Sequence, residues 1–173
     1  MWNLFRRWRI FHPGDPPENR INSRPVMDRV LKETVAPELR ARGFQGSLPH
    51  FRRRRPDRID LLTFQFDRSG GRFVVELAQC GPEGYTTSWG KRIPPGNVTA
   101  HDLTDRLRLG GRLGFRPANH WFVFDFHNYD PPMASSEAQL EDDCRKAAAE
   151  VLKDYGRQAE AWWDQQQTVS RKS

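Results

Sequence analysis

Two neighbouring runs constrain the fold more than any other feature: "IDLLTFQF" (residues 59–66) and "RFVVELAQC" (residues 72–80), parted by Ser69-Gly70-Gly71. Runs this rich in β-branched, aliphatic and aromatic residues, bounded by glycine, read as strands, over 58–66 and 72–80. A connection this short leaves no room for a crossover, so the two strands must be antiparallel. Side chains alternate along a strand. Leu62, Phe64 and Phe66 therefore share one face of the first run, with Ile59, Leu61, Thr63 and Gln65 on the other. In the second run Phe73, Val75 and Leu77 lie opposite Arg72, Val74, Glu76 and Ala78. Apolar residues on both faces of the first run place it centrally in a sheet. A third strand is expected over 48–54, joined through the turn at Pro56-Asp57, which completes a meander.

Helical periodicity brackets this sheet. Met27, Val30, Leu31, Val35 and Leu39 repeat at three and four, predicting a helix over 25–42. Ser23 is its expected cap, Pro25 sits in its first turn, Pro37 is expected to kink it, and Gly43 stops it, with Phe44 packing back. The stretch 81–114 is rich in Gly and Pro and holds one short helix candidate. Thr99 is its cap, Asp102 takes the capping-box position, and Leu103 and Leu107 lie one turn apart. "HWFVFDFH" (120–127) reads as a further strand. Ser136, with Gln139 three residues on, caps a long helix whose apolar stripe is Leu140, Cys144, Ala147, Val151, Tyr155, Ala159 and Trp162, with Gly156 a point of interruption. This order gives an α+β fold: a mostly antiparallel sheet packed against an N-terminal helix and a long C-terminal helix. Residues 1–22 are expected as an arm and linker, 23–165 as one domain, and 166–173 as a frayed tail.

Charge is the second constraint. The chain of 173 residues carries 28 basic and 22 acidic side chains, and residues 1–58 alone hold 14 basic and 6 acidic ones. Such asymmetry attracts an anionic partner, but Arg outnumbers Lys 23 to 5, as codon bias in a GC-rich genome also produces. The arm mixes Trp2, Leu4, Phe5, Trp8, Ile10 and Phe11 with Arg6, Arg7 and Arg9 without one clean helical face, which favours folding back over membrane anchoring. No apolar run has the length of a membrane span, and Arg6-Arg7 is followed by no apolar export segment, so a cytoplasmic protein is expected. Cys80 and Cys144 belong to no metal or redox spacing and are expected as buried thiols. Nothing in the sequence sets the oligomeric state.

The motif with most chemistry in it is "FRRRRPDR" (51–58). Alternation sends Arg52 and Arg54 to one side and Phe51, Arg53 and Arg55 to the other. One reading is a solvated edge strand whose arginines block aggregation. The other is an anion-binding surface built from Arg52, Arg54, Arg55 and Arg58. A nuclease reading of Asp57 with Glu76 fails, because Ala78 stands where the charge-stabilising lysine belongs, and a turn and a solvent-facing glutamate explain both acids. Asp125 and His127 share a strand face and, with Gln65, offer a small-ligand or enzymatic alternative. There is no nucleophile motif or phosphate loop; "RLGGRLG" lacks the preceding strand and the spacing of a dinucleotide fingerprint. No catalytic residue, metal ligand or cofactor is therefore expected.

The helix end "LRARGF" (39–44), the pair Phe51-Arg52, the strand "IDLLTFQF" with Gln65 near its end, and "RFVVELA" (72–78) together resemble the bacterial domain-of-unknown-function 4304 family. The resemblance runs over about 26–130, with the C-terminal helix a looser fit. It implies a compact intracellular α+β domain and carries over no activity. The proline-rich arm and the arginine excess depart from the family pattern. Three functions follow in order: a non-enzymatic domain recognising a protein partner, accessory or immunity-like; nucleic-acid binding through the arginine-rich strand; and a ligand binder or enzyme in which Gln65, Asp125 and His127 line one pocket.

Overall fold

The computed structural model describes residues 22–125 and 136–170; the arm and His127 lie outside these. Helix α1 spans Ser23–Ala41 and runs through Pro37. It starts earlier than the sequence implies: Asn22 occupies the cap position without a side-chain bond, while the expected cap Ser23 is the first helical residue and is buried. Its stop is as expected. Gly43 takes φ +87°, which only glycine adopts without strain, and the Phe44 amide donates to the Leu39 carbonyl at 3.0 Å while its ring enters the core.

Strands β1 (Gln45–Ser47), β2 (His50–Arg54), β3 (Ile59–Phe66) and β4 (Arg72–Cys80) form the antiparallel sheet in that order. Leu62 lies opposite Leu77, Phe64 opposite Val75 and Phe66 opposite Phe73, which fixes one wholly apolar face. The strand expected over 48–54 is β2, shortened because the chain turns at Leu48-Pro49, and a preceding strand that was not expected, β1, pairs back on it. This limits the solvated-edge reading of the arginines: β2 is paired with β3 along its length and with β1 over His50–Arg52, so only Arg53 and Arg54 keep an open backbone edge on the β1 side. The far edge of β4 is filled twice, by β7 (Leu107–Arg108) near Glu76 and by β8 (Phe122–Val123) near Arg72. The strand expected over 120–127 is thus short, and beyond it the amides of Phe124 and Asp125 both donate to the Gly71 carbonyl.

Between them, β5 (Tyr85–Thr86) and β6 (Arg92–Ile93) make a separate hairpin. The Thr99–Asp102 capping box forms, with the Thr99 amide donating to Asp102 Oδ2 at 2.8 Å, but it opens one 3₁₀ turn, Ala100–Asp102. Leu107 is in β7 and not one helical turn from Leu103, because the chain leaves the helix at Leu103.

Helix α2 spans Glu137–Asp154, and the Ser136 hydroxyl accepts the Gln139 amide as predicted. At Tyr155–Ala159 the helix widens to π geometry, then continues as α3, Glu160–Ser170, into the stretch expected to fray. The stripe holds through Ala159, after which Trp163 and not Trp162 is fully buried. A π turn carries one extra residue, so the buried face advances by one position. The helices cover the apolar face of β2–β4 and make the main core with it. The opposite face is partly covered by the 85–103 segment, which packs Tyr85, Ile93, Val98, Ala100 and Leu103 on Ile59, Leu61, Ala78 and Cys80. No helix among the described residues is long and apolar enough to cross a membrane.

Candidate functional site

The sheet's alternation divides the arginine block into two groups with different surroundings. On the helix-covered face, Arg53 of β2 lies directly across from Asp60 of β3. Asp60 is fully buried, and its Oδ2 accepts from Arg53 Nε at 2.9 Å and Arg55 Nε at 3.0 Å while Oδ1 accepts from Arg58 Nε at 2.6 Å. Helix α3 brings two further acids. Glu160 receives both terminal nitrogens of Arg53 at 2.8 Å and one from Arg55 at 3.4 Å; Asp164 receives Arg58 at 3.0 Å. The Tyr155 hydroxyl donates to Glu160 at 2.6 Å, and the Arg53 guanidinium stacks over Phe44 and Trp163. Partial burial pushes the Glu160 carboxyl up, but the bonds from Arg53 and Tyr155 outweigh this and hold it at about 2. Burial likewise opposes the charge on Arg53, and Glu160 and Asp60 more than restore it. Three guanidiniums thus face three carboxylates. The set is neutral within itself and leaves no surplus charge for a phosphate.

Arg52 and Arg54 point to the other face. There the two central strands carry polar residues in register, Thr63 opposite Glu76. Thr63 Oγ1 meets His50 Nδ1 at 3.1 Å and accepts the Ala100 amide at 3.3 Å. Glu76 is not solvent-facing, as the sequence suggested. It is 7% exposed, with Arg106 at 3.2 Å, His101 at 3.6 Å and Arg108 at 3.7 Å around its carboxylate. This ion-pair set accounts for the acid that a nuclease reading would have needed. The His50 and His101 rings meet edge to face at 6.0 Å. Burial, with His101 and Arg52 close by, lowers the His50 pKa. Arg52 Nε donates to the Val98 carbonyl at 2.5 Å, and Arg54 is exposed with no ion pair among the described residues. On this outer face Arg52, Arg54, Arg106 and Arg108 outnumber Glu76 and Asp102, so positive charge is in excess. Trp121 lies between the guanidiniums of Arg72 and Arg108, at 4.3 and 5.3 Å.

A third cluster lies where the loop after β7 meets the end of α2. Arg116 bonds Asp154 closely and Glu150 at 2.5 Å, and His120 Nε2 lies 3.5 Å from Glu150. Asp154 is fully buried, yet among the described residues its Oδ1 has no hydrogen-bond partner, and neither has His120 Nε2. Gln158 of the π segment clamps the loop, accepting from the Gly110 amide and donating to the Gly111 carbonyl, both at 2.9 Å. Gly110 has φ +78°, and a Cβ there would stand 2.5 Å from the His120 ring and 2.8 Å from Asp154, so the loop can approach only as glycine. Burial, then Arg116, lowers the His120 pKa.

The residues singled out from sequence are therefore dispersed. Arg55 and Arg58 belong to the inner network; Arg52 and Arg54 belong to the outer face. Gln65 is exposed on the outer face, whereas Asp125 is buried after β8, beside Cys144 of α2. Those two do not line one pocket, and His127 lies outside the described residues. Both thiols are buried and unpaired as expected, and burial raises Cys80 to about 11 and Cys144 to about 12. Sequence reasoning missed His50, Thr63, His101, Arg106 and Arg108. A threonine across from a glutamate inside two apolar strands was the available signal. It also missed His120 with Glu150 and Asp154, where the signal was two acids four residues apart on one helix face.

No curated protein and no solved structure matches the chain. A family model does match, over residues 35–172; it begins inside α1, later than the 26 expected, and covers in full the C-terminal helix that was expected as a looser fit. That span includes the sheet, both helix-side networks and the π segment, and it makes the chain a member of the family described as "Domain of unknown function (DUF4304)".

Proposed function

We propose that this chain is a non-enzymatic binding domain that takes an acidic segment of a partner protein on its outer sheet face, through Arg52, Arg54, Arg106, Arg108 and His101. The carrying observation is the division of the arginines: the inner three are neutralised by Asp60, Glu160 and Asp164, while the outer ones exceed the carboxylates near them. One buried carboxylate between two arginines and a histidine leaves donors facing water, and a carboxylate from outside completes them with charge-assisted bonds. Trp89, 77% exposed in the loop between β5 and β6, gives the segment that packs on this face an aromatic anchor of the kind that dominates protein interfaces. Trp121 is held between two arginines and not free to stack a base, but the exposed Trp89 is, and nucleic acid is the second reading of this face. A cytoplasmic setting suits the two unpaired thiols.

The test measures anisotropy of a labelled poly-glutamate peptide and of a labelled single-stranded oligonucleotide, at about 50 mM salt, where phosphate contacts persist. The peptide is expected to bind, and R52E/R54E to lose at least about tenfold in affinity, or about 1.4 kcal/mol. R40E/R157E, which reverses exposed charges elsewhere, is expected to change little. Tighter binding of the oligonucleotide, lost in the same variant, transfers the face to nucleic acid. Binding of neither probe, or equal losses in both variants, removes the proposal.

A further inference from the structure

We infer that His120, Glu150 and Asp154 form a binding site for one divalent transition-metal ion of the zinc class, for which Arg116 is the built-in competitor. Among the described residues one group of three metal-ligating side chains gathers in this way, with an available atom from each lying within 4.8 Å of the others. Glu150 and Asp154 are four residues apart on α2 and so project from the same face. His120 reaches them from the loop that precedes β8.

The arrangement is poorly explained as an ion pair alone. Arg116 supplies one positive charge to two carboxylates, and its two bonds go to Glu150 Oε1 and Asp154 Oδ2. Asp154 Oδ1 is left buried without a donor, and so is His120 Nε2. A buried carboxylate oxygen without a partner costs free energy that native structures rarely tolerate without a reason. A buried imidazole nitrogen and a buried carboxylate oxygen without partners, within a group whose ligand atoms gather inside 4.8 Å, are the donors a borderline metal takes. Imidazole nitrogen with carboxylate oxygens suits zinc better than magnesium or calcium, which prefer oxygen alone. Three protein donors would leave a position open on the ion.

Charge and space point the same way. A divalent cation balances Glu150 and Asp154 fully, which Arg116 does not. The Arg116 side chain is 31% exposed and so has a route to water when displaced, whereas Asp154 is fixed inside the fold. The Gln158 clamp on Gly110 and Gly111 holds the loop against Asp154 whichever cation is present. This site is independent of the outer face and stands or falls without it.

The experiment uses the full chain, freed of metal by chelator, and titrates it with Zn²⁺ by calorimetry while recording the nitrogen resonances of the histidine rings. A single equivalent is expected to bind, with the His120 ring shifted. H120A and D154N are expected to weaken binding by at least about tenfold, the scale on which metal sites respond to altered surroundings. R116Q is the decisive variant. Removal of the competitor is expected to tighten Zn²⁺ binding by about tenfold, or about 1.4 kcal/mol, while a purely structural Arg116 predicts a less stable protein with no such gain. The proposal is overturned if neither the natural protein nor R116Q takes up a stoichiometric equivalent. It is equally overturned if H120A keeps full affinity, which would place any bound ion elsewhere, or if R116Q shows no gain.

Discussion

Asp60 holds three arginines with one fully buried carboxylate, and this makes it the most sensitive single residue of the inner network. A buried ion pair contributes little against an apolar replacement of the whole set, but removal of one partner leaves the others buried and uncompensated. Asp60→Ala removes the one fully buried acid and leaves the buried Arg53 and Arg58 only Glu160 and Asp164 at the surface of α3, and is expected to cost about 3 kcal/mol in urea unfolding. Arg54→Ala, one residue along the same strand but exposed and unpaired, is expected to change stability by no more than about 0.5 kcal/mol. Comparable losses for the two would mean that the guanidiniums of the inner face find water. Alternation alone separates these two arginines in the sequence. Where Arg53 goes was not legible, because its acids are Asp60 on the next strand and Glu160, which lies more than a hundred residues away.

At the scale of elements, the central hairpin was readable because period-two alternation and the glycine break act locally. β3 matches its expected limits within a residue and β4 matches them fully. Gly156 marked the place where the long helix is interrupted, but nothing in the composition of Tyr155–Ala159 says that the interruption is a widened turn and not a break. Its effect is large all the same. A stripe continued at helical spacing ends on Trp162, whereas the structure buries Trp163, whose indole donates to the Ala78 carbonyl at 2.9 Å. The extra residue thereby selects which tryptophan enters the core and also turns Glu160 toward Arg53. Trp163→Ala is expected to cost about 3–5 kcal/mol, as removal of a buried aromatic does. Trp162→Ala, at a partly buried position, should cost clearly less. Equal losses, read from denaturant midpoints at constant slope, would show that the helix keeps ordinary register in solution.

Across the whole molecule, the order of helix, meander and long helix was legible and the faces of the sheet were assigned correctly. What joins distant parts was not: two short strands sharing the edge of β4 and α3 closing over the arginines both depend on contacts far apart in sequence. The inner network is one such closure, since Glu160 and Asp164 bring α3 to β2 and to the start of β3. Its dependence on acid follows from the Glu160 carboxyl, held at about 2 against an ordinary value of 4.5. The unfolded chain takes up this proton near 4.5 and the folded chain only near 2, so the unfolded state binds more protons between those values and stability falls as pH falls. The contribution is complete above about pH 4.5 and is lost progressively down to about pH 2. Glu141, also held at about 2 by Arg29 and Arg145, titrates in the same window on the surface, so Glu160 accounts for part of the slope and not all of it. Glu160→Gln is expected to lower stability at neutral pH and to make the acid transition shallower between those limits. Trp163 fluorescence is the natural reporter, because its ring lies under Arg53. An unchanged acid slope in the variant would show that α3 is held by its apolar face alone, with the ion pairs contributing nothing to the closure.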